Sequence, residues 1–310
     1  MTTDAELPRA AQVVVAGGGI VGASVAFHLA RAGIGDVVVV ERGELAGAAS
    51  GKPIGGLRAQ FSDPLNAALA LRSLEAYEEL GADMDHQRVG YLFLLRTAED
   101  LARFEAGVAL QRELGIPSVM LDAAEARGRC PAIDPDAFAG AAFCPIDGHA
   151  RPQAVARAYV DAARRRGARL VTGCAVTGID VRDGEIEAVR TTRGVVRTSI
   201  VVCAAGAWSR EIGAMAGVEL DVTPLRRQIA FTAPTPLATP GLPFAIDFAT
   251  TFYFHGAGGG LLLGMSDPTE EPGFDSRYAP GWEPSLLEAA GRCAPALAEL
   301  AITHGWAGLY

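Results

Sequence analysis

With 310 residues, half of them hydrophobic, the chain is long enough for a large core shared between two lobes. A net charge of −9 with 20% charged residues excludes the broad basic field that nucleic acid or an acidic membrane surface would need. Lys52 is the only lysine among 27 basic residues, a bias that reflects composition rather than function.

Residues 1–12 carry acids and lack an apolar signal-peptide core. "QVVVAGGG" then predicts a short buried strand that stops at glycines. "IVGASVAFHLARAG" predicts a helix closed by Gly33, and "DVVVVER" a second strand. The all-apolar strands of this βαβ unit suit a parallel sheet covered on both faces. Gly17, Gly18, Gly19 and Gly22 break the apolar run, so no membrane span is expected.

After an irregular glycine-rich stretch (43–61), "PLNAALALRSLEAYEEL" predicts a helix, "GYLFLL" a strand and "AEDLARFEAGVALQREL" another helix. "AEARGRCPAID" opens a loop. From Pro152 a helix, "PQAVARAYVDAARRRG", leads into the strand "ARLVTG". The cations Arg164–Arg166 suit the end of that helix better than a phosphate patch. Three short strands follow, "AVTGIDVR", "EIEAVRTT" and "GVVRTSIVVCAAG", with turns at Asp183-Gly184 and Arg193-Gly194. Residues 229–266 are rich in β signals. The pattern predicts a doubly wound α/β lobe with a second sheet lobe inserted into it. Five scattered cysteines, with no CxxC pair and no metal-ligand spacing, predict reduced thiols, no metal and a cytoplasmic setting.

Gly17, Gly19 and Gly22 form G-x-G-x-x-G, with Ile20 and Val21 between the last two glycines. The first glycine allows a sharp turn, the second a close backbone approach to a pyrophosphate, and the third tight helix–strand packing. The helix N-terminus then faces the anion with free N–H groups and its dipole. Glu41, ending the next strand, can accept from ribose hydroxyls and disfavours a 2′-phosphate. These residues leave NAD and FAD both open. A second glycine-rich stretch directly beyond Glu41, "GELAGAASGKPIGGLRAQF", stands where NAD enzymes usually enter their next helix, and "VVCAAGAWS" adds small residues near the nucleotide.

With these motifs the chain resembles the FAD-dependent amine and amino-acid oxidoreductases of the D-amino-acid oxidase superfamily. It is most similar to sarcosine oxidase β-subunit-like and dimethylglycine-dehydrogenase-like members. "CPIDGHARPQAVARAYVDAARRRGARLVTG", "TPLRRQ", "FYFHGAGGGLLLG" and "GWAGLY" extend the likeness along the chain. The resemblance implies a Rossmann-like FAD-binding domain of residues 1–88, 147–224 and 303–310. An antiparallel-sheet α+β substrate domain of residues 89–146 and 225–302 would be inserted into it. It also implies that relatives continue beyond "GWAGLY" with a third piece of the FAD lobe. Weak FAD binding, aggregation and little turnover are therefore expected of this stretch alone.

The resemblance implies that Gly17, Gly19 and Gly22 hold the pyrophosphate, and Glu41 the ribose with Arg42 beside it. Ser50 and Gly51 would cap the phosphates, while Gly55, Gly56 and Leu57 would run along the isoalloxazine. Val176 would clamp the adenine, and Ala205 and Gly206 would form a close-approach turn. Neither histidine nor cysteine occurs in the second glycine-rich stretch, so non-covalent FAD is expected.

A flavin accepts a hydride from a carbon next to nitrogen or oxygen, and the protein must orient that carbon and exclude water. A small secondary amine or amino acid is the expected substrate, with oxygen or a redox partner as electron acceptor. Oxidation of a 2-hydroxy acid is the alternative, as is a non-catalytic flavoprotein subunit or assembly factor in a heteromeric complex. Arg58 is the expected carboxylate anchor, because a guanidinium can grip a carboxylate with two bonds. Tyr253 could donate to the same carboxylate, and His255, where relatives often carry Arg, could tune charge. Arg227 in "PLRRQ" is a further candidate, for the carboxylate or for the joint between lobes.

Overall fold

The computed structural model describes residues 6–80 and 85–310. A four-stranded parallel sheet runs in the order Val201–Cys203, Val13–Ala16, Val37–Val40, Arg169–Val171. Alternation along its strands dictates what covers it. Val13, Val15, Val37 and Val39 face the helices Ile20–Arg31 and Pro152–Arg164, where Ala23, Ala26, Ala156 and Tyr159 pack. Val14, Val38 and Val40 face the other way, onto Val189 and Val196 of a three-stranded antiparallel sheet. Gly33, at φ +93°, stops the first helix just past its last turn, and the Arg166 guanidinium donates to the Ala162 carbonyl at the end of the second.

A larger sheet of eight strands runs in the order Ile302–Leu309, Arg226–Thr232, Gly260–Gly264, Tyr253–Ala257, Phe244–Asp247, Tyr91–Leu95, Gly140–Cys144, Val119–Leu121. Register again sorts its side chains. Leu92, Leu94, Phe254, Leu261 and Leu263 pack with Trp282, Leu286 and Leu297 from the helical segment after residue 280. On the opposite face stand Tyr91, Phe93, Phe244 and Tyr253. Arg96 ties this lobe together: it forks onto the fully buried Asp247 (Nη2–Oδ2 2.6 Å) and donates to the Ala137 and Arg292 carbonyls.

Three expectations need correction. The segment expected to open a loop contains a helix, Ala123–Arg129. Asp122 caps it, and the Glu125 side chain returns a bond to the Asp122 N–H. "GVVRTSIVVCAAG" is two strands in two sheets, Gly194–Arg197 and Val201–Cys203. Between them the buried Thr198 hydroxyl donates to Gln12 and accepts from the Ile200 N–H, closing a polar bend. Of the segment 303–310, expected with the FAD-binding pieces, all but Tyr310 belongs to the strand Ile302–Leu309. That strand is hydrogen-bonded along the larger sheet to Arg226–Thr232.

Candidate active site

The first glycine motif folds as its residues require. Gly17 has φ +116°, and a Cβ there would run into the Ala204 carbonyl. A Cβ on Gly22 would collide with the carbonyl of Gly17, so helix and strand could not meet as they do. The helix starts at Ile20, whose N–H donates to Ser50 Oγ at 2.9 Å across the chain. Val21 and Gly22 follow in the first turn, where N–H groups have no partner inside the helix.

Glu41 is fixed from both sides. Its N–H donates to the Val171 carbonyl at 2.9 Å and its own carbonyl accepts from Cys174 at 2.8 Å. Its carboxylate accepts from the Gly18 N–H at 2.7 Å and the Gly43 N–H at 2.8 Å. Around these groups lies a cavity of about 540 Å³, lined by Gly17, Gly19, Glu41, Ser50, Val176 and the turn Ala205–Trp208. A neighbouring recess of about 470 Å³ shares Glu41, Arg42 and Trp208 and reaches Lys52. Arg42 lies over the Trp208 ring, 3.6 Å from its centroid. A glycine cradle, a carboxylate at the strand end and an apolar wall at Val176 fit FAD, whose pyrophosphate Gly17–Gly22 would hold, with the ribose at Glu41 and the adenine at Val176.

The second glycine-rich stretch is laid on the aromatic face of the larger sheet. Trp306 Nε1 donates to the Lys52 carbonyl at 2.8 Å, and the Tyr91 hydroxyl occupies the space that a Cβ on Gly56 would need. Gly51 carries no Cβ because the Ala46 carbonyl is there, and Gly55, at φ +76°, is pressed on the Ala150 carbonyl. Gly56–Leu57 pair with Gly148–His149. Below them the buried Asp147 accepts from the Ala59 N–H at 2.8 Å and from Gln60 Nε2 at 3.2 Å. Burial pushes its carboxyl up to about 6.

The three expected catalytic residues fare differently. Tyr253 stands on the aromatic face beside Phe244, its phenol pushed above the ordinary range by burial. The Arg58 guanidinium lies 4.3 Å from the Phe61 ring centroid and 5.4 Å from that of Phe93, bordering a recess of about 260 Å³ against the helix Pro64–Leu80. His255 is enclosed by backbone. Its Nδ1 lies 2.8 Å from the Gly256 carbonyl and its Nε2 3.2 Å from the Ile54 carbonyl, so both nitrogens face backbone. Burial lowers its pKa, and its ring stacks on His149 at 4.3 Å. Its Nε2 faces the backbone of the segment that carries Ile54. Sequence reasoning missed Tyr91, Asp147 and Trp306, which become neighbours of the glycine stretch only through pairing distant in sequence. The aromatic alternation of "YLFLL" was a signal for Tyr91.

The sequence matches the DAO family, described as FAD dependent oxidoreductase, over residues 12–310. The chain belongs to this family. Mitochondrial sarcosine dehydrogenase of Mus musculus is 32% identical over 236 residues, covering 73% of this chain and 26% of the relative. Hydrogen cyanide synthase subunit HcnC of Pseudomonas aeruginosa is 29% identical, covering 97% of this chain and 82% of the relative. Among solved structures, L-proline dehydrogenase from P. horikoshii superposes with a TM-score of 0.90 at 31% identity, covering 98% of this chain and 82% of that one. The chain spans 26–38% of the length of the first three curated relatives it matches. As a DAO-family member it takes FAD as its cofactor, held in a Rossmann-like lobe beside a substrate lobe. Among the described residues no helix is long and apolar enough to cross a membrane, and no group of His, Cys, Asp and Glu could hold a metal ion.

Proposed function

We propose that the protein oxidises a C–N bond of a small secondary amine or amino acid, giving an imine that water hydrolyses to a carbonyl compound and an amine. Bound flavin supplies the redox chemistry by accepting a hydride from the carbon next to nitrogen. The carrying observation is the continuity of the site. The glycine cradle at Gly17–Gly22 leads through Lys52–Leu57 onto a sheet face bearing Tyr91, Phe244 and Tyr253. Those aromatic side chains exclude water from one side of the substrate, while Trp306 and His255 hold the glycine stretch in place. The names of the relatives, sarcosine dehydrogenase and L-proline dehydrogenase, support a secondary amine carrying a carboxylate. Oxygen or a redox partner would reoxidise the flavin.

A second reading, a flavoprotein subunit working inside a heteromeric assembly, draws on the relative named as the subunit HcnC. The five cysteines are all free thiols, which supports a cytoplasmic setting. The test of the first reading is to mix the FAD-loaded protein anaerobically with sarcosine, proline, glycine and lactate, following the visible absorbance of the flavin. Bleaching by one or more of the amines is expected. Bleaching by lactate alone would replace the reading with 2-hydroxy-acid oxidation, and no bleaching unless a partner protein is added would favour the subunit reading.

A further inference from the structure

Between the strand Gly260–Gly264 and the turn at Pro280 the chain has no regular structure, yet both ends of residues 270–279 are tied to one strand, Arg226–Thr232. Arg226 Nε donates to Glu270 at 3.0 Å, a pair with side chains only 18% and 10% exposed, and its Nη1 donates to the Arg277 carbonyl at 3.0 Å. The buried Gln228 accepts from the Ala279 N–H at 2.7 Å. Separating so shielded an ion pair is costly, so these ends are fixed.

The middle of the segment is held differently. It crosses to the parallel-sheet lobe, where the Phe274 ring stacks on Trp208 with centroids 5.6 Å apart and planes at 29°. Beside it the Gly273 N–H donates to the Pro224 carbonyl at 2.9 Å, but among the described residues no hydrogen bond ties residues 274–276 to that lobe. Phe274 keeps 48% of its surface exposed. An aromatic stack shifts an open–closed equilibrium by about tenfold at most, so the tip can leave while the anchors hold. Its partner stands at the cofactor site. Trp208 and Arg42, whose guanidinium lies over the Trp208 ring, line both recesses there, and Ser276 lines the one that reaches Lys52. The segment therefore borders the path from the Gly17–Gly22 cradle to the second glycine-rich stretch.

We propose that residues 270–279 form a hinged latch over the cofactor site, with Phe274 on Trp208 as its catch, so that FAD enters and leaves only while the catch is open. Among the described residues Phe274 lines neither recess, so it governs the rate of exchange without forming a wall of the site. Opening precedes both entry and exit. Weakening the catch therefore raises both rates by the same factor and leaves the equilibrium affinity unchanged. The inference needs FAD as the cofactor and is independent of which substrate the flavin oxidises.

The test measures two rates by flavin fluorescence: entry, on mixing FAD with the cofactor-free protein, and exit, on diluting the FAD-loaded protein. Phe274→Ala should raise both about three- to tenfold, the factor that losing one aromatic pair corresponds to, with the dissociation constant within about twofold of the parent. Phe274→Trp keeps the stack and should stay near the parent. Glu270→Gln loosens an anchor without touching either recess, and should also raise both rates. Should Phe274→Ala fail to fold, Phe274→Leu and Glu270→Gln decide the matter by the same two rates. Parent-like entry and exit in Phe274→Ala would overturn the proposal. So would a faster exit with unchanged entry, because the matching loss of affinity would make Phe274 part of the binding wall.

Discussion

Substituting Asp147→Asn should leave the protein little changed at low pH and make it progressively more stable than the parent as pH rises. The Asp147 carboxyl is fully buried, and its hydrogen bonds from Ala59 and Gln60 and the nearby Arg58 charge only partly offset that burial. Its pKa rises from 3.8 to about 6. Between those values the native chain keeps a proton that the unfolded chain has lost, so stability falls as pH rises. The contribution is complete below the unfolded value and gone above the folded one. A shift of about two units corresponds to about 3 kcal/mol. His149 works the other way: burial, then the neighbouring His255, lowers its pKa from 6.5 to about 4. Its contribution is present above the unfolded value and is lost as pH falls through the folded one. Because His149 is only half-buried, screening discounts this to about 2 kcal/mol. In the parent the two slopes oppose each other, and each substitution should uncover the other. Urea unfolding from about pH 4 to about pH 7 should show Asp147→Asn gaining about 3 kcal/mol on the parent with rising pH. His149→Asn should gain about 2 kcal/mol on the parent with falling pH. Parallel curves for parent and Asp147→Asn would refute the reasoning.

Arg96→Met should destabilise the protein by about 3–5 kcal/mol in denaturant unfolding, because Asp247 would keep its buried charge with only the Ala249 N–H and the Thr250 hydroxyl for company. A loss below about 1 kcal/mol would show that the Arg96–Asp247 pair contributes little to stability. Gly22→Ala places a methyl against the Gly17 carbonyl, so the helix must move off the strand. Stability should fall by about 1–3 kcal/mol and FAD affinity at least tenfold, read by thermal unfolding and flavin fluorescence. Parent-like FAD binding in that variant would show that the cradle tolerates the shift.

Those parts of the architecture that rest on local chemistry were readable in advance. Val13–Ala16 and Val37–Val40 are continuous apolar runs, the glycine spacing marks the turn between strand and helix, and Glu41 falls where the second strand ends. The helix Ala123–Arg129 was also readable, since Asp122 and Glu125 have capping-box spacing, and that cap holds the helix despite Gly128 within it. The break in "GVVRTSIVVC" was hidden because β-branched residues continue through it. The bend there joins the local bond from the Ile200 N–H to the distant Gln12 carbonyl, which no local pattern announces. The surroundings of Tyr91, His255 and Arg227 depend on which strands pair and on which face each side chain emerges. That pairing joins residues as far apart as Tyr91 and Phe244, and no local pattern encodes it.

The account stands on the Gly17–Gly22 cradle and Glu41 serving a flavin dinucleotide rather than a nicotinamide one. Calorimetric titration of the cofactor-free protein with FAD and with NAD, repeated on Glu41→Ala, tests this most directly. Saturable heat with FAD at one site per chain, none with NAD, and loss of at least a factor of ten in FAD affinity in Glu41→Ala are expected. Saturable NAD binding without FAD binding, or FAD binding indifferent to Glu41, would contradict it.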